Sequence, residues 1–561
     1  MNTLPEIHTA IRHHLAGLDL VSDDQIYRFL FPRLDDLPSP YLFKSIDRAV
    51  ELIIQAMVEN HDILIWGDYD VDGITGTALL YNFFRKFDIT PKYYIPNRLN
   101  EGYGLNKDAL MKFCRELSDN KLLITVDCGI SNHEELLLAR RYGFRTIVTD
   151  HHQVPDGALY GDATINPQQE DCGFPFAHLA GVGVAFYLIC AVRNKLRETN
   201  LFEQYNGINL KSFLDLVAIG TIADMMPLTG INRILVKAGI ESISEGKHHG
   251  IKALFGTMDM DITRFTSETI SFKIAPAINA AGRLGEPEEG FKMFTTVSPK
   301  EAANTAANLI SLNNRRKIIT EENIETALKL ARTELINGYF SLVLVGDFHE
   351  GVLGIVASKL VETCAVPALV CCYDRDDRSR IKGSGRAPEA YDLYELLREC
   401  AFVLERYGGH KLAAGFSLRT EHFLEFKRHF SSLTKRQKDN FLHQNNNLQK
   451  KYCKLSISEA FNSTLLHNLS LLEPTGEDNP RPIFFDDNIR FITYSYVGRN
   501  KDHLKGVIRG SRSNIEVIGF NIGKKADAIN LHETCSVAYG HSLDHYQGKA
   551  RWKIQILDIW Q

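Results

Sequence analysis

The segment Gly67-Asp68-Tyr69-Asp70-Val71-Asp72-Gly73 sets three carboxylates at alternate positions. Carboxylates this close repel one another unless cations neutralise them, and the flanking glycines permit a tight turn. An oxygen-rich set of this kind suits Mg²⁺ or Mn²⁺. A calcium loop of the EF-hand type needs a glutamate at its twelfth position; counted from Asp68, that position is Leu79. A solvated acidic turn is the other reading of this segment taken alone.

More ligand-type residues follow. Asp127 ends the apolar run KLLITVD, and Asp150, His151 and His152 end RTIVTDHH. A single strand-end aspartate commonly caps a helix, and a histidine pair alone fits a polar loop. Neither explains why three successive strand-like runs all finish in metal-type ligands. Asp224 interrupts the apolar stretch AIGTIADMM, read here as the interior of a helix. A carboxylate on an apolar face is costly unless paired or metal-bound. Together these residues suffice for two ions sharing a bridging carboxylate. Two ions about 4 Å apart activate water and stabilise an in-line phosphoryl displacement.

The elements that must position these residues follow from periodicity. Between residues 62 and 152, short apolar runs alternate with amphipathic segments such as ITGTALLYNFFRKF, the pattern of a parallel α/β sheet. Ligands of such sheets bind beyond the carboxyl ends of the strands, where every acidic cluster here falls. Residues 1–45 read as short helices, and 211–230 as one helix stopped at Pro227. From Ser298, a fitting N-cap, and Pro299 in the first turn, a long Ala-rich helix connects two halves, with Asn313-Asn314 as a candidate break. SLVLVGD opens a second α/β domain that ends near residue 430, and the polar tract KRQKDNFLHQNNNLQKKY reads as a helix end plus linker. From about residue 453, five or six short strands with polar turns indicate a β-barrel.

Composition sets wide bounds. The chain has 561 residues, 44% apolar and 24% charged, ordinary for a soluble protein of three or four domains. Its formal charge of −5 speaks mildly against nucleic acid,, although a carboxylate centre lowers the total while a basic groove elsewhere holds phosphates. No run of about 18 apolar residues indicates a membrane helix, and the first residues lack the pattern of a secretory signal. Ten scattered cysteines without a CxxC pair fit a reducing cytoplasm,.

GDYDVDG, TVDCG, TDHH and IGTIADMMPL, in this order, resemble the four motifs of the DHH phosphoesterases. PNRLNEGYGL, NAAGRL, HEGVLGIVASKL, GSGR and GGHKLAAGF resemble the RecJ branch of that family, and LEPTGEDNPRPIF resembles the start of its oligonucleotide-binding barrel. One departure is Gly285-Glu286-Pro287 after NAAGRL, where the family usually shows an acidic residue and alanine.

The resemblance implies an α/β architecture of DHH and DHHA1 type domains joined by a long helix, plus a C-terminal OB-like β-barrel. The expected divisions are an N-terminal helical segment 1–45, a catalytic domain 46–297, a connecting helix 298–337, a substrate-binding domain 338–430, a linker 431–452 and a barrel 453–561. It implies a 5′→3′ exonuclease on single-stranded DNA, in DNA repair and recombination, with two Mn²⁺ or Mg²⁺ ions. Asp68, Asp70 and Asp127 would hold one ion, and Asp72, Asp127, His151 and Asp224 the other, with Asp127 as bridge and Asp68 either a direct ligand or one step removed. His152 would face the scissile phosphate, and Arg283 would neutralise it. Asn279, Ser384, Gly385, Arg386, Gly409 and His410 would bind substrate, with Arg98 completing a 5′-phosphate pocket and Tyr103 stacking on a base. On the barrel, Arg490, Tyr494, Tyr496, Arg499, Lys501, Lys505 and Arg509 mix cations with aromatics, as single-strand binding requires; ordinary barrel packing explains any one of them equally well. Single-strand-binding protein and a helicase are partners implied only by the family. A small-substrate phosphodiesterase, a pyrophosphatase and a non-enzymatic scaffold are the rivals; the barrel argues against the first two and the intact ligand set against the third.

Overall fold

The apolar runs of the first half assemble as a sheet of five parallel strands: β1 (Asp62–Trp66), β2 (Lys92–Tyr94), β3 (Lys121–Val126), β4 (Phe144–Thr149) and β5 (Ala163–Ile165), in the order β2-β1-β3-β4-β5. The computed structural model describes residues 4–561 apart from 206, 337, 443–451, 499–500, 511–513 and 547–548. Every residue of β3 is buried, which is why that strand reads as an unbroken apolar run. Trp66 pairs with Thr125, and Val126 with Thr149. The carboxyl ends of β1, β3 and β4 are therefore level, and the loops carrying Asp68, Asp127 and Asp150 emerge side by side.

Residues 211–230 are not one helix. A helix spans Leu214–Ala223, and the next begins at Gly230 and runs to Ser244. Asp224 is thus the C-cap of the first, with φ −82° and ψ 4°, rather than an interior residue. Met225 takes a left-handed φ of 56° and turns the chain, so the helix stops before Pro227 is reached.

The connecting helix runs unbroken over Pro299–Ile336, 38 residues and about 57 Å long,. Asn313 does not break it: the side chain is buried and accepts from Arg316 Nε at 3.1 Å. Ala306, Leu309 and Leu312 of this helix belong to the core built around the first sheet, and Ala327 and Ala331 to a core of the second. That second sheet has the order β6-β7-β8-β10-β9, from β6 (Leu342–Gly346), β7 (Ala368–Tyr373), β8 (Arg380–Arg386), β9 (Leu404–Gly409) and β10 (Ala413–Arg419). A helix over Phe423–Leu442 follows, and its Leu433 still packs in the core of this half.

The C-terminal part is a seven-stranded sheet rather than one of five or six strands: β11 (Cys453–Lys454), β12 (Phe484–Ile489), β13 (Phe491–Val497), β14 (His503–Arg509), β15 (Asn514–Gly519), β16 (Cys535–Tyr546) and β17 (Lys549–Trp560). The extra strand, β11, is two residues long and too short to leave a pattern in sequence. The N-terminal helices complete this core: Ile11, Leu15, Ile26 and Leu30 pack with Leu465, Leu472, Phe484 and Tyr539. Arg233, almost wholly buried, binds both ends of the chain to the first half. It donates to the carbonyls of Phe29, Leu471, Leu472, Glu473 and Pro474 at 2.6–3.2 Å.

Candidate active site and metal centre

Asp70 caps the Val71–Arg85 helix by accepting from the Gly73 N–H at 3.1 Å, and so brings Asp72 into its first turn. Asp72 is held by the N-terminus of a second helix, Gly181–Glu198: the N–H groups of Gly181 and Val182 donate to its two oxygens at 2.6 and 2.9 Å. Asp127 sits just beyond β3 with φ 60°. Three groups of ligand-type atoms result, the atoms of each within 4.8 Å of one another: Asp68, Asp70 and Asp127; Asp72, His151 and Asp224; and Asp127, His151 and His152. His151 Nε2 lies 3.0 Å from Asp127 Oδ1, 3.5 Å from Asp224 Oδ2 and 3.8 Å from Asp72 Oδ2. Asp68 Oδ1, Asp127 Oδ1, His151 Nε2 and Asp224 Oδ2 are buried, and among the described residues none has a partner in hydrogen-bonding geometry, the short approach of His151 to Asp127 included.

That arrangement is unfavourable by itself. Burial, reinforced by the neighbouring carboxylates, pushes Asp68, Asp127 and Asp224 well above the usual range and Asp72 to about 7. Burial and the charge of His152 lower His151 to about 4, leaving it neutral, the form that binds metal. Cations relieve both strains, and the donor set of carboxylates and imidazole matches Mn²⁺ or Mg²⁺.

His152 behaves differently. Burial depresses it, but the hydrogen bond to Asp150 and the surrounding carboxylates raise it above its ordinary value. Its Nδ1 is 2.8 Å from Asp150 Oδ1. Although His152 also lies near Asp127 and His151, that contact engages Nδ1 and leaves Nε2 for a substrate. The Tyr103 hydroxyl donates to the Asp127 carbonyl at 2.9 Å and stands 3.1 Å from His152 Nδ1. Tyr103 therefore buttresses the histidine with its hydroxyl, while its half-exposed ring meets the imidazole edge to face.

The two halves meet at Gly351, whose carbonyl accepts from Arg283 at 3.2 Å. Arg283 is half-buried near the end of the Ala275–Arg283 helix, one turn beyond Asn279. Burial and the charges of Arg98, Arg316 and Arg386 lower it to about 9. These four guanidiniums come from four different elements, and no ion pair neutralises any of them among the described residues. Arg98 stacks on Tyr69 of the acidic motif at 5.1 Å. Arg386 reaches Ser384 Oγ at 3.4 Å and the Gly385 carbonyl at 2.7 Å. A Cβ on Gly354, in the first turn of the Leu353–Cys364 helix, would lie 2.9 Å from Arg386 and 3.2 Å from Ser384 Oγ. A helix N-terminus thus abuts this pair, a setting that attracts anions. Gly409, at φ 138°, permits the close approach to Ala413 and Ala414. His410 follows on the hairpin, near enough to His151 for its charge to act there.

Three comparisons with known proteins bear on the family of the chain. Residues 62–221 match the DHH family, N-terminal domain, residues 337–436 the DHHA1 domain, and residues 453–558 the RecJ OB domain. The single-stranded-DNA-specific exonuclease RecJ of Haemophilus influenzae is 32% identical over 541 residues, 92% of this chain and 90% of the relative. The chain belongs to the RecJ family. The Escherichia coli member is 33% identical over 531 residues, again covering 90% of that protein, whereas 31% identity with the Bacillus subtilis RecJ spans 95% of this chain but 66% of that one. A crystal structure of RecJ from Thermus thermophilus in complex with Mn²⁺ superposes over 100% of this chain and 79% of that one, with a TM-score of 0.78 and 28% identity. Its Mg²⁺ complex gives a TM-score of 0.71 at 26% identity.

In this RecJ-family chain Asp150, read in the sequence as a ligand-type residue, takes a positioning place instead, and Gly181, Gly220 and Arg316 were not singled out in the sequence at all. Asp150 orients His152 and also accepts from the N–H groups of Ile130, His151 and His152. Gly181 and Gly220 let backbone approach the clustered carboxylates; a Cβ there would lie 2.7 Å from Asp127 Cβ and 2.9 Å from Asp72 Oδ1. Arg316 carries no motif and joins the arginine cluster only because the helix passes there. The OB-domain pattern, by contrast, divides. Tyr494 and Tyr496 pair with Gly506 and Leu504 and pack on the barrel core, whereas the exposed Lys505 and Arg509 alternate to the opposite face of β14,. Arg490 and Lys501 are exposed, and Arg499 lies outside the described residues. No helix among the described residues is long and apolar enough to cross a membrane.

Proposed function

We propose that this protein is a metal-dependent exonuclease that hydrolyses single-stranded DNA from its 5′ end. The observation that carries the reading is the convergence of four orphaned buried donors, on Asp68, Asp127, His151 and Asp224, opposite an unneutralised arginine cluster. The donors fit cations and the arginines fit phosphates. Asp68, Asp70 and Asp127 would hold one divalent ion, and Asp72, Asp127, His151 and Asp224 the second. Mn²⁺ or Mg²⁺ bound there supplies a nucleophilic water near neutral pH and Lewis acidity toward the phosphoryl oxygens.

The remaining residues supply position and charge. Asp150 and Tyr103 fix the ring of His152, whose Nε2–H donates to a non-bridging oxygen of the scissile phosphate. Arg283 neutralises the same phosphate, with Asn279 beside it. Arg98, Ser384 and Arg386 form the terminal-phosphate pocket with the first turn of the Leu353–Cys364 helix, with Gly385 between the last two on β8 and Gly409 and His410 on the adjoining β9–β10 hairpin as further substrate contacts. A terminal phosphate carries more charge than an internal one, so this pocket selects the end of the strand.

The setting is DNA repair and recombination in the cytoplasm, with single-strand-binding protein and a helicase as partners. The deciding experiment compares single strands labelled at either end, duplex and dinucleotide, with Mn²⁺ or chelator. Degradation of single strands from the 5′ end, abolished by chelation, is expected. Digestion from the 3′ end, or full activity in excess chelator, refutes the assignment.

A further inference from the structure

Along the stretch Ile270–Arg283, Phe272, Pro276, Asn279 and Arg283 recur at intervals of four, three and four residues, and none is buried. Over the α-helix Ala275–Arg283 such spacing puts Pro276, Asn279 and Arg283 on one face, and Phe272 precedes them by one turn. Ile274, Ala275, Ala277, Ile278, Ala280 and Ala281 form the buried side. The stripe runs about 16 Å from the scissile-phosphate arginine to Phe272. Phe272 is 73% exposed and lies within a π-helical turn, Ile270–Ile274. That wide turn is costly and collects at functional sites. Here it presents the phenyl ring outward, with the exposed Lys273 beside it.

A lone exposed aromatic is ordinary; its alignment is not. Just before Phe272, the helix is tied to the segment leading into the barrel. Ser267 Oγ donates to Glu473 Oε2 at 2.9 Å, and Arg481 pairs with Glu268 at 2.7 Å. The stripe therefore runs from the foot of the barrel to Arg283, with an aromatic ring and a cation at its outer end and Pro276 and Asn279 along it.

We propose that Phe272 is a base-stacking platform for the single strand, seated a few nucleotides from the scissile phosphate. The proposal rests on single-stranded DNA being the substrate. Stacking on an aromatic face is sequence-tolerant, because every base has one. Lys273 pairs with an adjacent phosphate.

The test uses the full chain with Mn²⁺ and 5′-phosphorylated oligodeoxynucleotides carrying one abasic site, moved stepwise from the 5′ end. For the wild type, one abasic position beyond the cleaved bond should raise KM by about ten-fold, the scale of one lost stack. Phe272→Ala should raise KM on intact strands by a similar factor, hold kcat, and flatten the abasic scan. Phe272→Trp should restore both. An unchanged KM in Phe272→Ala, or a scan that keeps its sensitive position, overturns the platform alone. A wild type that degrades no single strand overturns the function itself and the platform with it.

Discussion

His152 Nδ1 lies 2.8 Å from Asp150 Oδ1, and Asp150 is completely buried. Burial raises that carboxyl, but His152, His151 and the Ile130 N–H together bring it below its ordinary value. It is therefore ionised while the ligands around it are strained. Asp150→Asn should lower kcat by about 10–100-fold, the usual effect of removing a partner that orients a metal-site group. Affinity for single strands, measured by anisotropy, should stay within about two-fold, since no phosphate contact is removed. A variant with wild-type kcat shows that the contact orients nothing.

Asp127→Asn should reduce turnover by at least about 10²–10³-fold, as loss of a central electrostatic stabiliser does. It should at the same time raise the melting temperature of metal-free protein at alkaline pH, because a buried like charge is gone. Calorimetry in chelator reads the second effect independently of the first.

Stability without metal should fall as pH rises. The folded Asp72 carboxyl is raised from 3.8 to about 7, so between those values the native state binds more protons than the unfolded chain. Its stabilising contribution is complete below the unfolded value and is lost as pH passes the folded one. Metal binding expels those protons. The rise in melting temperature on adding Mn²⁺ should therefore grow from about pH 5 to pH 8, by about 2–4 °C per kcal/mol of linked protonation in a domain of this size. A gain independent of pH contradicts metal occupancy of this cluster.

Arg386→Ala should slow 5′-phosphorylated strands about ten- to a hundred-fold more than 5′-hydroxyl strands, the worth of one charge-assisted hydrogen bond. Arg316→Ala should slow both ends alike if its charge acts on Arg283 and the internal phosphate. Rates on the two substrates for both variants separate the roles.

Truncation at residue 452 should yield insoluble protein, because Ile11, Leu15, Ile26 and Leu30 lose the barrel core that covers them,. Removing residues 1–31 together with the barrel should restore solubility. That shortened protein should still cut very short oligonucleotides. Its affinity for long strands should be weaker, with a shallower dependence on salt from fewer phosphate contacts. Equal affinity of the full and shortened chains for a long strand counts against the barrel as a DNA surface.

The grouping of the candidate ligands was legible in sequence because they follow apolar strands directly. A parallel sheet must bring such strand ends to one edge, so the grouping of Asp68, Asp127 and His151 follows from local pattern and the period of the chain. Asp224 was recognisable for a similar reason, as a charge in an apolar run, although its place at a helix C-cap depends on the backbone turn at Met225.

Contacts distant in sequence and without periodicity were decided only by the tertiary structure. Arg316 joins Arg98, Arg283 and Arg386 because a straight helix of 38 residues passes both halves; no neighbour in sequence marks it. The N-terminal helices enter the barrel core, and Arg233 meets carbonyls more than two hundred residues away on either side. Sequence alone likewise mixed Tyr494 and Tyr496 with Lys505 and Arg509, whereas the strand pairing sends them to opposite faces. Residue type and local spacing determine what chemistry a segment offers. Which segments share a surface depends on how separate elements pack, and packing is a property of the whole chain.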